Sequence, residues 1–300
     1  MRTRSVLRWA ARIVGGVLGL IVLAVGTVYA LSERRFRAHF DVPEHALAVP
    51  NDSAAIARGE HLVRVRGCIG CHGETLAGRV ELDEPLIGRL AGPNLTRAGR
   101  GASLSDADWE RAVRHGVRRD GSPLFVMPAN EHNGMADEDL AAIVAYARSL
   151  TGNPAVPPPS RAGPIIRALF VAHQAQVVPA EDIDHAKPHP ARVAPDTTVA
   201  YGGYLASMCT GCHGAGFSGG KVVGAPPDWP PAANLTRRGN LGRWTEPDFA
   251  RLLRTGYRPD GSMVDTAHMA VRITKHLDDT EVKALYAFLR SVPERDFGNR

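Results

Sequence analysis

Hydrophobic positions are spread unevenly along this chain. From Ile13 to Leu31, nineteen consecutive residues carry no charge. As a helix rising about 1.5 Å per residue they would reach roughly 28 Å, close to the hydrocarbon thickness of a bilayer. Further along, the apolar positions fall into short helical stripes. Leu140, Ile143, Val144 and Ala147 keep the three-and-four spacing that turns one helix face towards a core, and so do Val282, Leu285, Tyr286 and Leu289. Asp137 and Asp278 stand before these stripes as N-caps. Ser105 and Thr245, each followed three residues later by an acid (Asp108, Asp248), mark two more helix starts. Short helices are also predicted over 54–67 and 199–208. No stretch alternates convincingly as a strand, so the pattern predicts an all-α protein.

The pattern occurs twice. "PNLTRAGRGASLSDADWERAVRHGVRRDGS" (93–122) answers "ANLTRRGNLGRWTEPDFARLLRTGYRPDGS" (233–262), at an offset that stays between 140 and 142 residues over the whole repeat. A duplication of about one hundred residues means two tandem homologous domains. The expected division is 1–31 as an N-terminal membrane anchor or signal peptide, 32–52 as a linker, and 53–152 as the first domain. Residues 153–196 form a proline-rich linker with a short helix, 197–293 the second domain and 294–300 a tail. An apolar stretch inside the linker, Ile165 to Val178, predicts that it packs across both domains.

Charge narrows the function. Lys and Arg outnumber Asp and Glu by 36 to 31, but residues 1–40 hold seven arginines against Glu33 alone. The remaining 260 residues carry 29 basic and 30 acidic groups, so the net charge of +5 belongs to the N-terminus. Nucleic acid is excluded as a partner on this distribution. An apolar run of this length fits an uncleaved anchor better than the shorter core of a signal peptide.

All four cysteines lie in two copies of C-x-x-C-H: Cys68, Cys71, His72 and Cys209, Cys212, His213. Thiols three apart share one face of a helical turn and can reach the two vinyl groups on one porphyrin edge, while the adjacent histidine ligates the iron. A shared zinc would have to join pairs 141 residues apart, and a thioredoxin-like pair needs a β-α-β setting. Neither rival uses the histidine. Two covalently bound c-type haems are therefore the predicted cofactors, with His72 and His213 as iron ligands. For the opposite face, Met127 and Met269 share one repeat position, 59 and 60 residues after the first cysteine of their motifs. His268, one residue from Met269, is the competing ligand in the second domain. Met135 matches Leu277 and reads as core. The remaining histidines share no ligand spacing and read mostly as surface or capping residues, and Asp182 and Asp184 beside His185 as solvated linker.

With these motifs, with "PNLT" and "RRDGSPLFVMP", and with the closing "YARSL" and "FLRSV" helices, the chain resembles class I c-type cytochromes in their dihaem, membrane-attached respiratory form. The resemblance covers 53–152 and 197–293. It implies that the first and last helices of each domain cross at Gly59 and Gly202, facing Tyr146 and Phe288. It also implies that carbonyls at Pro93 and Ala233 accept a hydrogen bond from the haem-ligating histidines. The second domain departs from the pattern in having Ala233 for Pro93 and Ala270 for Pro128. The implied function is single-electron transfer rather than catalysis, between redox partners such as a dehydrogenase, another cytochrome or a terminal oxidase. A subunit role in a larger complex, or a peroxidase-like dihaem enzyme, is the alternative. The implied location is the bacterial inner membrane, single-pass, with the haem domains on the periplasmic side.

Overall fold

The computed structural model describes residues 2–300 other than 155, 226 and 227, so Ala155 of the expected linker lies outside the described residues. The chain opens with α1 (Arg2–Phe36), which contains the apolar run. Among the described residues it is the one helix long and apolar enough to cross a membrane, and the rest of the chain leaves that apolar stretch uncovered.

The first repeat comprises α2 (Ser53–Val65), α3 (Cys68–His72), β1 (Arg79–Glu84), β2 (Gly88–Gly92), α4 (Asp106–His115), α5 (Ala129–His132) and α6 (Asp137–Ser149). Between the repeats lie β3 (Arg161–Ala162) and α7 (Pro164–Val171). The second repeat follows with α8 (Val199–Ala206), α9 (Thr210–His213), α10 (Glu246–Thr255), α11 (Val271–Thr274) and α12 (Asp279–Ser291).

In each repeat the first and last helices cross at a glycine. A β-carbon on Gly59 would lie 2.0 Å from the Ala142 carbonyl oxygen and 2.7 Å from Tyr146 Cβ. One on Gly202 would meet the Ala284 carbonyl oxygen at 2.0 Å and Phe288 Cβ at 2.7 Å. Backbones this close admit no side chain. Around the crossings the stripe residues Leu140, Val144, Val282 and Leu285 are buried in a core that runs through both halves. The middle helices begin as predicted: Ser105 and Asp108 form a reciprocal capping box on α4, and Thr245 and Asp248 another on α10.

The halves meet along α2, α6, α8 and α12. Tyr204 donates its hydroxyl to Asp139 Oδ2 (2.6 Å) and accepts from the Ala136 amide (3.0 Å). Arg66 lies over the Tyr204 ring, 4.4 Å from its centroid. His61 pairs with Glu281 across the same boundary at 2.9 Å.

Three features differ from the sequence reading. A small antiparallel sheet, β1-β2-β3, occupies the loop after the first cysteine motif and takes its last strand from the linker. Val80 and Leu82 do alternate, but β1 is exposed along nearly its whole length, so no buried face marks it. Second, Asp137 is not an N-cap. It is the first residue of α6, whose leading amides are satisfied by linker carbonyls: Asp137 N to Pro190 O (3.0 Å) and Glu138 N to Ala191 O (3.1 Å). Third, the linker lies chiefly on the first repeat and on the end of α1. Phe170 stacks on Phe36 at 5.1 Å, and Arg167 donates to Ser32 (2.8 Å) and Glu33 (3.2 Å). Phe170, Val177, Val178 and Ala180 form a second small core with Val117. The stretch at Gln174 and Ala175 lies against the second repeat, at Gly224, so the linker touches both domains as expected.

Candidate haem sites

Each histidine of a C-x-x-C-H motif is the last residue of a short helical turn and is followed by a glycine in a conformation other residues avoid. Gly73 (φ 80°, ψ 161°) and Gly214 (φ 78°, ψ 161°) are near-identical in this respect. The turn buries both imidazoles; His72 is 8% exposed and His213 7%. His72 Nδ1 lies 2.9 Å from the Pro93 carbonyl, and His213 Nδ1 lies 2.7 Å from the Ala233 carbonyl. A carbonyl can only accept, so Nδ1 carries the proton in both rings and Nε2 keeps its lone pair. Burial holds both rings below the ordinary imidazole pKa, against a smaller opposing pull from the carbonyls. Neutral imidazole with a free Nε2 is the form a metal requires.

The accepting carbonyls are fixed by matched loops. Asn94 Oδ1 accepts from the amide and hydroxyl of Thr96, and Asn234 Oδ1 does the same for Thr236. Replacing Pro93 by Ala233 therefore leaves the loop intact, because the Asn-x-Thr turn holds it.

Met127 and Met269 also occupy equivalent backbone. Each carbonyl accepts from the amide two residues on, at 2.7 Å. The next residues have nearly the same dihedral angles, φ −77°, ψ 55° at Pro128 and φ −73°, ψ 53° at Ala270. Met135 is buried core, whereas Met263 is 55% exposed. His268 lines the same space as Met269, but its Nδ1 lies 2.7 Å from Asp265 Oδ2 and its ring meets Trp229 edge-on at 4.6 Å.

All four cysteines, both motif histidines, Met127 and Met269 line one continuous cavity of about 1000 Å³. The lining fits a large apolar group with an anionic edge. Leu76, Leu95, Val113, Leu241 and Phe249 give the apolar wall. Among the described residues, Trp109 Nε1 and the Nε and Nη2 of Arg66 are buried donors on this wall without acceptors, which carboxylates on an occupant would satisfy. Burial pushes the Cys68 thiol up to about 11 and the Cys209 thiol up to about 12, and no disulfide joins the four.

The two motifs cover one another reciprocally. Arg272 of α11 lies against Gly70 of the first motif, and Glu131 of α5 lies against Gly211 of the second. The two covering side chains come from neighbouring, not equivalent, repeat positions and carry opposite charge. Arg272 is offset by Glu81 at 3.8 Å; Glu131 makes no salt bridge among the described residues, and burial raises its carboxyl to about 7. Neither residue was singled out from the sequence, because the signal lies in a contact between repeats. His132, buried on the same cavity wall, was missed as well; its repeat counterpart is Thr274, so no shared spacing reveals it.

Residues 54–146 match the family of cytochrome c oxidase, cbb3-type, subunit III, and residues 199–293 match cytochrome c. Both halves are cytochrome c domains. Two such domains imply two covalently bound c-type haems, and the N-terminal apolar helix fits a membrane anchor. The dihaem cytochrome is 30% identical over 270 residues to the cytochrome c subunit of alcohol dehydrogenase (quinone) from Gluconobacter oxydans, covering 81% of this chain and 55% of that protein. It is 29% identical over 282 residues to the gluconate 2-dehydrogenase cytochrome c subunit of Pantoea cypripedii, covering 82% and 61%. With the fructose dehydrogenase cytochrome subunit of Gluconobacter japonicus it shares 26% over 304 residues, covering 92% and 60%. The cytochrome therefore spans between 55% and 61% of the length of these relatives.

Proposed function

We propose that this cytochrome is a membrane-anchored electron carrier that relays single electrons between its two haems, as the cytochrome partner of a membrane dehydrogenase. The observation that carries this reading is the single cavity shared by both motifs, each covered by a helix of the other domain. When bound, c-type haem supplies a one-electron iron couple. The chain's part is to tether, ligate and shield it. Cys68, Cys71, Cys209 and Cys212 are the covalent attachment points, and Nε2 of His72 and of His213 the iron ligands on one face. Met127 and Met269 would supply the second ligand to each iron. Their equivalent backbone supports the assignment, and the engagement of His268 by Asp265 and Trp229 favours Met269 over it. Pro93 and Ala233 hold the histidine rings in orientation through their carbonyls.

With a histidine and a methionine available to hold each iron, the donor set would suit electron transfer rather than peroxidase chemistry. The dehydrogenase partner is supported by the relatives, which are themselves cytochrome subunits of alcohol, gluconate and fructose dehydrogenases. Covalent haem attachment, with an anchor at the N-terminus, favours a periplasmic position for both domains, on the inner membrane. The test is co-purification from native membranes followed by addition of the dehydrogenase substrate. Reduction of both haems by a co-purifying dehydrogenase supports the reading; a cytochrome isolated alone, reduced by none of the membrane dehydrogenases, contradicts it. Replacing Met127 or Met269 by Ala should abolish half of the weak sulfur-to-iron absorption band in each case.

A further inference from the structure

Away from the haem cavity, the linker brings two histidines onto the end of α4. His185 and His189 meet His115, with ring centroids 5.1 Å and 5.4 Å from it. His115 is 3% exposed and Glu110, one turn earlier on the same helix, is 1% exposed. One ligand atom each from Glu110, His115 and His189 lie within 4.8 Å of one another.

The hydrogen bonds fix the tautomers along this chain of rings. His185 Nε2 lies 3.1 Å from the Ala180 carbonyl, which can only accept, so Nε2 carries the proton. A neutral His185 then has a lone pair at Nδ1, and this faces His115 Nδ1 at 2.9 Å. His115 must donate from Nδ1, which leaves its Nε2 a lone pair. That lone pair points at Glu110 Oε1, 3.3 Å away. Two acceptors therefore face each other in a buried place, and a positive charge between them is needed. A proton on His115 would satisfy this pair alone. His189 Nε2, buried and without a hydrogen-bond partner among the described residues, would stay unsatisfied. A divalent cation satisfies all three.

The surrounding charges admit it. Arg114 faces Glu110 at 3.5 Å, but its guanidinium is also held by Asp137 (2.7 Å) and by the Met135 carbonyl (2.6 Å). Asp137 also pairs with His45 at 3.0 Å. The cluster thus brings two carboxylates, Glu110 and Asp137, against one guanidinium.

We propose that Glu110, His115 and His189 form a binding site for a divalent cation of the zinc class, which fastens the linker to the first cytochrome domain. Two imidazoles and one carboxylate are a zinc donor set, with a fourth tetrahedral position open to water. The neighbouring ring fits the same scheme, because His185 accepts the other N–H of His115 and so orients the ligand. The site is independent of the haems.

The experiment uses the full-length, haem-loaded protein, in which the cysteines are spent on haem. It is stripped with chelator, re-equilibrated with Zn²⁺ alone and analysed for zinc and iron together. One zinc per two irons is expected, with a zinc-edge absorption spectrum showing two imidazoles, one carboxylate and no sulfur. H189A, and separately E110Q, should weaken zinc binding by about tenfold or more. H173A, at an exposed linker histidine outside the cluster, should leave it unchanged. An unaltered haem spectrum shows that each variant has folded. Absence of tight zinc in the parent protein overturns the proposal, since a protonated His115 is then the charge beside Glu110. Zinc binding by H189A and E110Q as tight as that of the parent, or sulfur in the zinc shell, also overturns it.

Discussion

The opposite charges at Glu131 and Arg272 should make the two haems unequal, and Glu131→Gln tests this directly. Glu131 packs on Gly211, between the two cysteines of the second motif, and lines the cavity they share. A unit charge on the order of 10 Å from a redox centre, at an effective dielectric of about 20, is worth about 1.7 kcal/mol. For a one-electron couple this is about 70 mV. The sign follows from chemistry, since an ionised carboxylate stabilises ferric haem and lowers its potential. Burial raises the Glu131 carboxyl to about 7, so it is mainly neutral at pH 5 and mainly charged at pH 9. Arg300, which donates to the Gly211 carbonyl at 3.4 Å, works in the opposite direction and sets the charge against which the loss is read. The assay is a spectroelectrochemical titration of the parent protein and E131Q at both pH values. One of the two components should rise by about 70 mV at pH 9 and stay nearly fixed at pH 5. Its fall with rising pH in the parent should flatten in the variant. An equal shift at both pH values, or no shift at either, refutes the reasoning.

The remaining predictions concern stability. Asp108→Asn removes half of the α4 capping box, and at neutral pH should cost about 1 kcal/mol in denaturant unfolding. The Arg119 guanidinium, and then Ser105, hold the Asp108 carboxyl well below its ordinary range. Its contribution is thus fully present above the unfolded carboxylate pKa of about 3.9 and is lost as pH falls towards the folded value. The gap between D108N and parent should accordingly narrow in acid, and a gap that widens would contradict the assignment. Gly59→Ala and Gly202→Ala each drive a methyl group into a helix backbone, so each should destabilise by about 1–3 kcal/mol or prevent haem incorporation. A thermally unperturbed G59A would mean that the crossing is looser than the backbone spacing indicates.

Much of the fold was legible because each repeat checks the other. Both capping boxes, at Ser105 and Thr245, and the buried stripes of α6 and α12 follow from local spacing alone. Met127 and Met269 stood out among six methionines through repeat position, which a single domain could not have supplied. What escaped depends on contacts distant in sequence. Asp137 resembles an N-cap, yet Pro190 and Ala191 supply the partners for the first amides of α6. Asp137 is thereby freed for Arg114 and His45. His115 sits on a charged helix and reads as surface, but the linker closes over it. The sheet was hidden because β1 has no buried face and β3 is two residues long. Glu131 and Arg272 became informative only when each was found against the other domain's motif.

The central claim is that each half of the chain tethers one haem through its paired cysteines. Peptide mass spectrometry of the protein matured in a host competent for c-type haem attachment, combined with an iron count per chain, tests it most directly. The account predicts two irons and two haem-bearing peptides, one containing Cys68 and Cys71, the other Cys209 and Cys212. A colourless protein, a single haem, or free thiols in either motif would contradict it.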